Sequence, residues 1–138
     1  MEIDMNMKTT IAIGDQVQIE KKITEADIII FAGLSGDFNP IHLDEEFAKK
    51  TRYQKRIAHG FLGASLFSGL FGTKLPGPGC VYAKQSLSFL RPVYIDDKVT
   101  ARITVAKIEN NGKRIIFKTD ILVENRVVTT GEATLVFP

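Results

Sequence analysis

The chain has 138 residues, 44% of them apolar and 25% charged, with 18 basic side chains against 16 acidic ones and a formal net charge of +2. That is enough chain for one domain with its own core, too apolar for a disordered chain, and too evenly charged for a polyanion-binding surface, so no nucleic-acid partner is expected. The single Cys80 cannot close an internal disulfide, and no run approaches the roughly 20 apolar residues of a membrane span.

The opening "MEIDMNMKTT" is acidic and lacks an apolar run, unlike a signal or transit peptide. Residues 1–9 are expected to be a flexible terminus, and the chain a cytoplasmic protein with no membrane partner. "DQVQIEKKI" (15–23) alternates apolar and polar residues, as a strand with one solvated face does. In "TEADIIIFAGLSG", Thr24 is a good N-cap with Asp27 three residues on. The apolar run Ile28 to Leu34 reads as a short buried helix, closed by Gly33, Ser35 and Gly36. After a turn, "DEEFAKK" (44–50) is acidic at its start and basic at its end, as a helix dipole prefers.

Residues 58–79, "AHGFLGASLFSGLFGTKLPGPG", are the most unusual stretch. The first half is apolar nearly all round, so as a helix it is expected to be buried on every side. Gly60, Gly63, Ala64, Ser65, Ser68 and Gly69 keep it thin, which suggests close packing against another backbone, since glycine costs about 1 kcal/mol against alanine in a helix. "LPGPG" then forces a loop. From Cys80 onward the pattern is β: "VYAKQSLSFL", "KVTARITVAKIE", "KRIIFKTDILVE" and "RVVTTGEATLVF" are rich in Val, Ile, Thr and Phe. "ENNGK" (109–113) is a hairpin turn, because Asn-Gly tolerates positive φ at both central positions, and "VENRV" is a second candidate. The expected architecture is α+β, an antiparallel β-sheet wrapped around a long central helix, in one domain spanning 1–138. An exposed sheet edge tends to pair with a second copy, so at least a dimer is expected.

Several chemistries fail on residue types. Two histidines and one cysteine without His-x-x-x-His spacing give no expectation of a metal site, and "HLD" (42–44) is too thin for one. "GASLF" (63–67) resembles a nucleophile elbow until Phe67 stands where glycine is needed. No G-x-G-x-x-G or Walker loop is present. What remains is "GDFNPIHLD" (36–44). Asp37 and His42 can hold one water between them, one group taking a proton while the other gives it. Pro40 fixes its own φ and biases Asn39 toward extended geometry, so both side chains can face one pocket. The plainer alternative is that Asp37 caps a turn and His42 fills a half-buried place. At His59–Gly60 a helix start would leave backbone N–H groups unpartnered, either as an ordinary terminus or as a site for a developing oxyanion.

These motifs, D-F-N-P-x-H followed by A-H-G-x-L-x-A-S-L, resemble the R-specific enoyl-CoA hydratases of the MaoC-like, hot-dog-fold family. The resemblance runs over roughly 10 to 137 and is densest from Phe31 to Val99. It implies a homodimer with active sites near the subunit interface, and reversible hydration of trans-2-enoyl-CoA to (R)-3-hydroxyacyl-CoA. By motif position it makes Asp37 and His42 the catalytic dyad and Gly60 the oxyanion-binding backbone. Asn39 becomes an orienting residue of the pocket, and Ser68 a helix serine near the substrate. The only ligand implied is the CoA thioester substrate, with no metal and no other cofactor. Phe71, three residues beyond Ser68, either narrows the acyl tunnel or packs the core. The rival readings are a 3-hydroxyacyl-ACP dehydratase or an acyl-CoA thioesterase of the same fold, and an acyl-CoA-binding module without chemistry.

Overall fold

The structure is a computed structural model that describes residues 11–138; the expected flexible segment 1–9 lies outside them. Strand β1 (Gln16–Lys22) leads into helix α1 (Glu25–Ser35), followed by two short helices, α2 (Pro40–Leu43) and α3 (Glu45–Lys49), and the long α4 (Gly60–Thr73). Strands β2 (Val81–Gln85), β3 (Ser88–Phe89), β4 (Lys98–Glu109), β5 (Arg114–Val123) and β6 (Arg126–Val136) complete the chain. All pair antiparallel in the order β1-β4-β5-β6-β2, with β3 also on β6. This is the expected hot-dog arrangement, with α4 lying against the sheet. Among the described residues no helix is long and apolar enough to cross a membrane.

Alternation along β4 and longer buried runs in β5 and β6 make the core. Val99, Ala101, Ile103 and Val105 of β4, Ile115, Phe117 and Ile121 of β5, and Ala133 and Leu135 of β6 are buried. From α4, Leu62, Phe67, Leu70 and Phe71 meet them. Each large side chain so buried contributes about 1.5–3 kcal/mol relative to exposure.

Two expectations of burial need correction. Helix α4 is not covered on every side: Phe61, Ser65, Ser68, Gly69 and Gly72 are exposed, and a Cβ on Gly63, Gly69 or Gly72 would meet nothing within 4 Å. Ser65, Ser68, Gly69 and Gly72 share an exposed face, whereas Ala64 is buried and Gly60 lies under Phe89. Helix α1 likewise buries only Ile28 and Ala32, leaving Ile29, Ile30 and Leu34 more than half exposed. An unbroken apolar run must show some residues to each side of a helix, and only one side of α1 meets the body.

The turns follow local chemistry. Thr24 and Asp27 form a reciprocal capping box at α1. Glu124 and Asn125, both at positive φ, close the β5–β6 hairpin. The β4–β5 turn is longer than a two-residue hairpin, because Asn110, Asn111 and Gly112 are all left-handed. The expected single strand over 81–90 is broken at Ser86, whose N–H donates to the Glu132 carbonyl at 2.9 Å while its hydroxyl accepts from the Glu132 N–H. That crossing brings Ser86 so close to β6 that a Cβ at Gly131 would lie 1.8 Å from the Ser86 carbonyl oxygen. Only glycine fits there.

Candidate active site

The site is assembled where α1, α2 and the start of α4 converge. Helix α1 stops because Gly36 turns left-handed (φ 79°), its N–H donating to the Ala32 carbonyl at 2.8 Å. Two side-chain turns then pin the loop. Asp37 Oδ1 accepts the Asn39 N–H at 3.1 Å, and Asn39 Oδ1 accepts the Ile41 N–H at 3.1 Å, capping α2 with Pro40 at its first position. With Oδ1 thus occupied, Oδ2 of Asp37 is the oxygen that faces His42.

His42 is held by its other edge. Its Nδ1–H donates to the Ile57 carbonyl at 2.7 Å, which leaves Nε2 as a lone pair 3.8 Å from Asp37 Oδ2. The Ile57 segment is itself fixed, since its N–H donates to the Ile41 carbonyl and the neighbouring Ala58 N–H to the Val93 carbonyl. Buried Arg56 donates through Nε to the His42 carbonyl at 2.7 Å and pairs with Glu25 at 2.9 Å. Burial pushes the His42 imidazole below its ordinary value of 6.5. The His59 ring and the Arg56 charge push the same way, against the Ile57 carbonyl and the Asp37 carboxylate.

The 3.8 Å gap is too long for a direct hydrogen bond. One water bonded to both atoms at about 2.8 Å would subtend about 85° between them, somewhat tighter than tetrahedral. A neutral imidazole facing a carboxylate across a water-sized gap can take and return a proton. Beside it, α4 begins at Gly60 after an N-cap, His59, that makes no side-chain cap bond; the Leu62 N–H donates to the His59 carbonyl at 3.1 Å, which leaves the Gly60 and Phe61 N–H groups for another acceptor. The helix is 14 residues long, and its dipole favours negative charge at that end.

Two cavities meet here. One, about 280 Å³, runs from His42, Ala58 and Gly60 past Phe89, Leu90, Val99 and Ile121 to Arg52 and Arg91. The other is lined by Phe31, Ser35, Asp37, His42, His59, Gly60 and Phe61. Asp37, His42 and Gly60 are therefore brought together, with Asn39 holding the loop that carries Asp37.

Ser68 and Phe71 line neither cavity. They stand eight and eleven residues into α4 from Gly60, which is about 12 and 16 Å along its axis. Ser68 is exposed, and Phe71 is buried edge-on against Phe117 and Tyr82. Three residues turn a helix by about 300°, so the two side chains point about 60° apart and need not share surroundings. Reading the sequence missed Phe89, whose ring lies on Gly60, and His59, which had counted only as a helix start. The A-H-G triplet is the one signal that pointed near them.

Comparison with known proteins places this geometry. The MaoC like domain model matches residues 8–132. The chain is 46% identical over 125 residues to an (R)-specific enoyl-CoA hydratase of Rhodospirillum rubrum, covering 91% of this chain and 87% of that one. The solved structure of an (R)-hydratase from A. caviae superimposes with a TM-score of 0.90 at 41% identity, over 94% of this chain and 98% of that one. A more distant relative, 36% identical over 95% of this chain and 80% of its own length, is a mitochondrial 3-hydroxyacyl-[acyl-carrier-protein] dehydratase of Arabidopsis thaliana.

Proposed function

The chain belongs to the MaoC-like domain family, and on that footing we propose that it is an (R)-specific enoyl-CoA hydratase, a hydro-lyase adding water to trans-2-enoyl-CoA to give (R)-3-hydroxyacyl-CoA. The observation that carries this reading is the unprotonated Nε2 of His42 facing the Asp37 carboxylate beside an uncapped helix N-terminus. Water held between the two groups adds through its oxygen to C3. The C2=C3 electron pair moves toward the thioester oxygen, which the Gly60 N–H and the α4 dipole receive. The proton lost by the water enters the dyad, and C2 takes one from it as the carbonyl re-forms. Atoms balance as one water added, and the reverse path is dehydration.

No metal is needed for these steps. Asp37, His42 and His59 offer ligand atoms within 4.8 Å of one another. The two imidazoles are stacked, however, with centroids 3.9 Å apart and planes 28° from parallel. Their in-plane lone pairs therefore lie in near-parallel planes, which does not suit convergence on one tetrahedral ion. The proposed working form is a homodimer. What supports it is the open face of α4 together with the half-exposed Phe61, Val81, Phe89 and Leu90 near the β2 edge, a larger apolar display than a lone chain needs.

The test is loss of enoyl-thioester absorbance with crotonyl-CoA, run beside Asp37→Asn. Rapid loss yielding the (R)-3-hydroxy product, reduced at least 10²-fold in the variant, is the expected result. Free thiol released from saturated acyl-CoA would make the protein a thioesterase. Turnover of the acyl-carrier-protein thioester alone would make it a dehydratase of that carrier, and binding without turnover would leave a binding module.

A further inference from the structure

We infer that His59 is a positioning residue that sets the width of the gap between Asp37 and His42, because it contacts both sides of it. The inference rests on the dyad reading above. His59 is 3% exposed. Its Nε2–H donates to the backbone carbonyl of Asp37 at 3.0 Å, and its ring stacks on His42 at 3.9 Å. Asp37 lies in a loop, just beyond the left-handed Gly36, where no helix or strand ladder holds its carbonyl. The bond from His59 supplies that hold.

On the other side, the Nδ1 bond to Ile57 holds one edge of the His42 ring. The stacked His59 ring supports its face, and Phe31 packs at 4.9 Å against His59 in turn. His59 directly precedes Gly60, so the same residue ties the dyad to the helix terminus that would receive the thioester oxygen.

The tautomer argues that packing alone does not explain a histidine here. A proton on Nε2 puts the remaining lone pair on Nδ1, which is buried with no partner. A buried unsatisfied acceptor is costly, and a phenyl ring would fill the place without it. What phenylalanine lacks is a donor for the Asp37 carbonyl, and what glutamine lacks is a flat ring for His42.

The experiment follows from that division. His59→Phe keeps a ring and loses the donor; His59→Gln keeps an N–H donor and loses the ring. Each is assayed with crotonyl-CoA beside Asp37→Asn, with kcat taken per folded molecule. Both variants should lose kcat with KM changed by no more than about threefold. His59→Phe should fall about 10²-fold, the size expected for an ångström of misplacement, and His59→Gln less, as a partial rescue. Wild-type kcat in both, with Asp37→Asn inactive, would overturn the positioning role and leave the dyad standing. An active Asp37→Asn would instead overturn the dyad reading itself.

If either variant fails to fold, the native protein still decides. Long-range proton–nitrogen NMR of the two imidazoles should place the proton on Nε2 of His59 and on Nδ1 of His42. A proton on Nδ1 of His59 would break the bond to Asp37 and overturn the inference.

Discussion

Gly60→Ala separates the backbone's role in catalysis from its role in folding. The glycine does not stand at positive φ, so alanine fits the backbone. Its methyl carbon would, however, lie 2.6 Å from Cδ1 and Cε1 of Phe89. Ordinary carbon contacts are about 3.5–4.0 Å, so the ring must retreat by about 1 Å. Phe89 is 48% exposed and can swing outward. Stability should therefore change little: overpacking costs about 1–3 kcal/mol, against about 1 kcal/mol gained in helix propensity.

Activity should change much more. A methyl group on the first residue of α4 stands where the thioester oxygen must approach the N–H, and loss of one oxyanion donor costs about 10²–10³ in kcat, or about 2.7–4 kcal/mol. Steady-state kinetics with crotonyl-CoA, with thermal melts as a control, measure both effects. The Gly60→Ala/Phe89→Ala double variant is decisive because it removes the clash and keeps the methyl. Continued loss of kcat in the double variant supports the N–H as the donor to the thioester oxygen. Recovery to the level of Phe89→Ala alone would mean that the displaced ring did the damage, and would refute the oxyanion assignment.

Phe71→Ala should destabilise the protein by about 3–5 kcal/mol, as a large-to-small change in the core against Phe117, and leave the ratio of crotonyl-CoA to octenoyl-CoA turnover unchanged; a shifted ratio would restore its role in the acyl tunnel. Because the folded His42 imidazole lies below 6.5, the unfolded chain binds more protons as the medium acidifies. Its contribution to stability is whole above pH 6.5 and is lost as pH falls through the folded value. The ascending limb of kcat/KM should accordingly lie below pH 6.5, and a midpoint at or above it would contradict the buried neutral base. Arg56→Met should cost about 1–3 kcal/mol in denaturant unfolding, since the buried His42 carbonyl loses its donor while Glu25, half exposed, stays solvated. The same change removes a cation that opposes His42 protonation, so the acid limb should move upward in pH.

What could be read from the sequence was what short-range chemistry controls. The Thr24 cap, the helix end at Gly36, the Asn-Pro bend and the Val-, Ile- and Thr-rich strands β4 to β6 each depend on a few neighbouring residues, and each appears as expected. Asp37 and His42 were legible for the same reason, since five residues and one proline determine that they meet. What could not be read depends on partners distant in sequence. Gly60 looks like helix punctuation until Phe89, twenty-nine positions away, is found lying on it. His59 reads as a helix start until the loop carrying Asp37 folds back to place a carbonyl 3.0 Å from its ring nitrogen. The all-round apolar character of α4 was misleading in a useful way. Leu62, Phe67, Leu70 and Phe71 answer to the sheet, whereas Ser65, Ser68, Gly69 and Gly72 form an exposed face, and among the described residues nothing lies within 4 Å of a Cβ placed on Gly69 or Gly72. A helix face this thin and open is shaped for a second backbone, which is why the proposed homodimer and the placing of Ser68 belong to one question: the serine that lines neither cavity described above sits on the face that a second copy would cover.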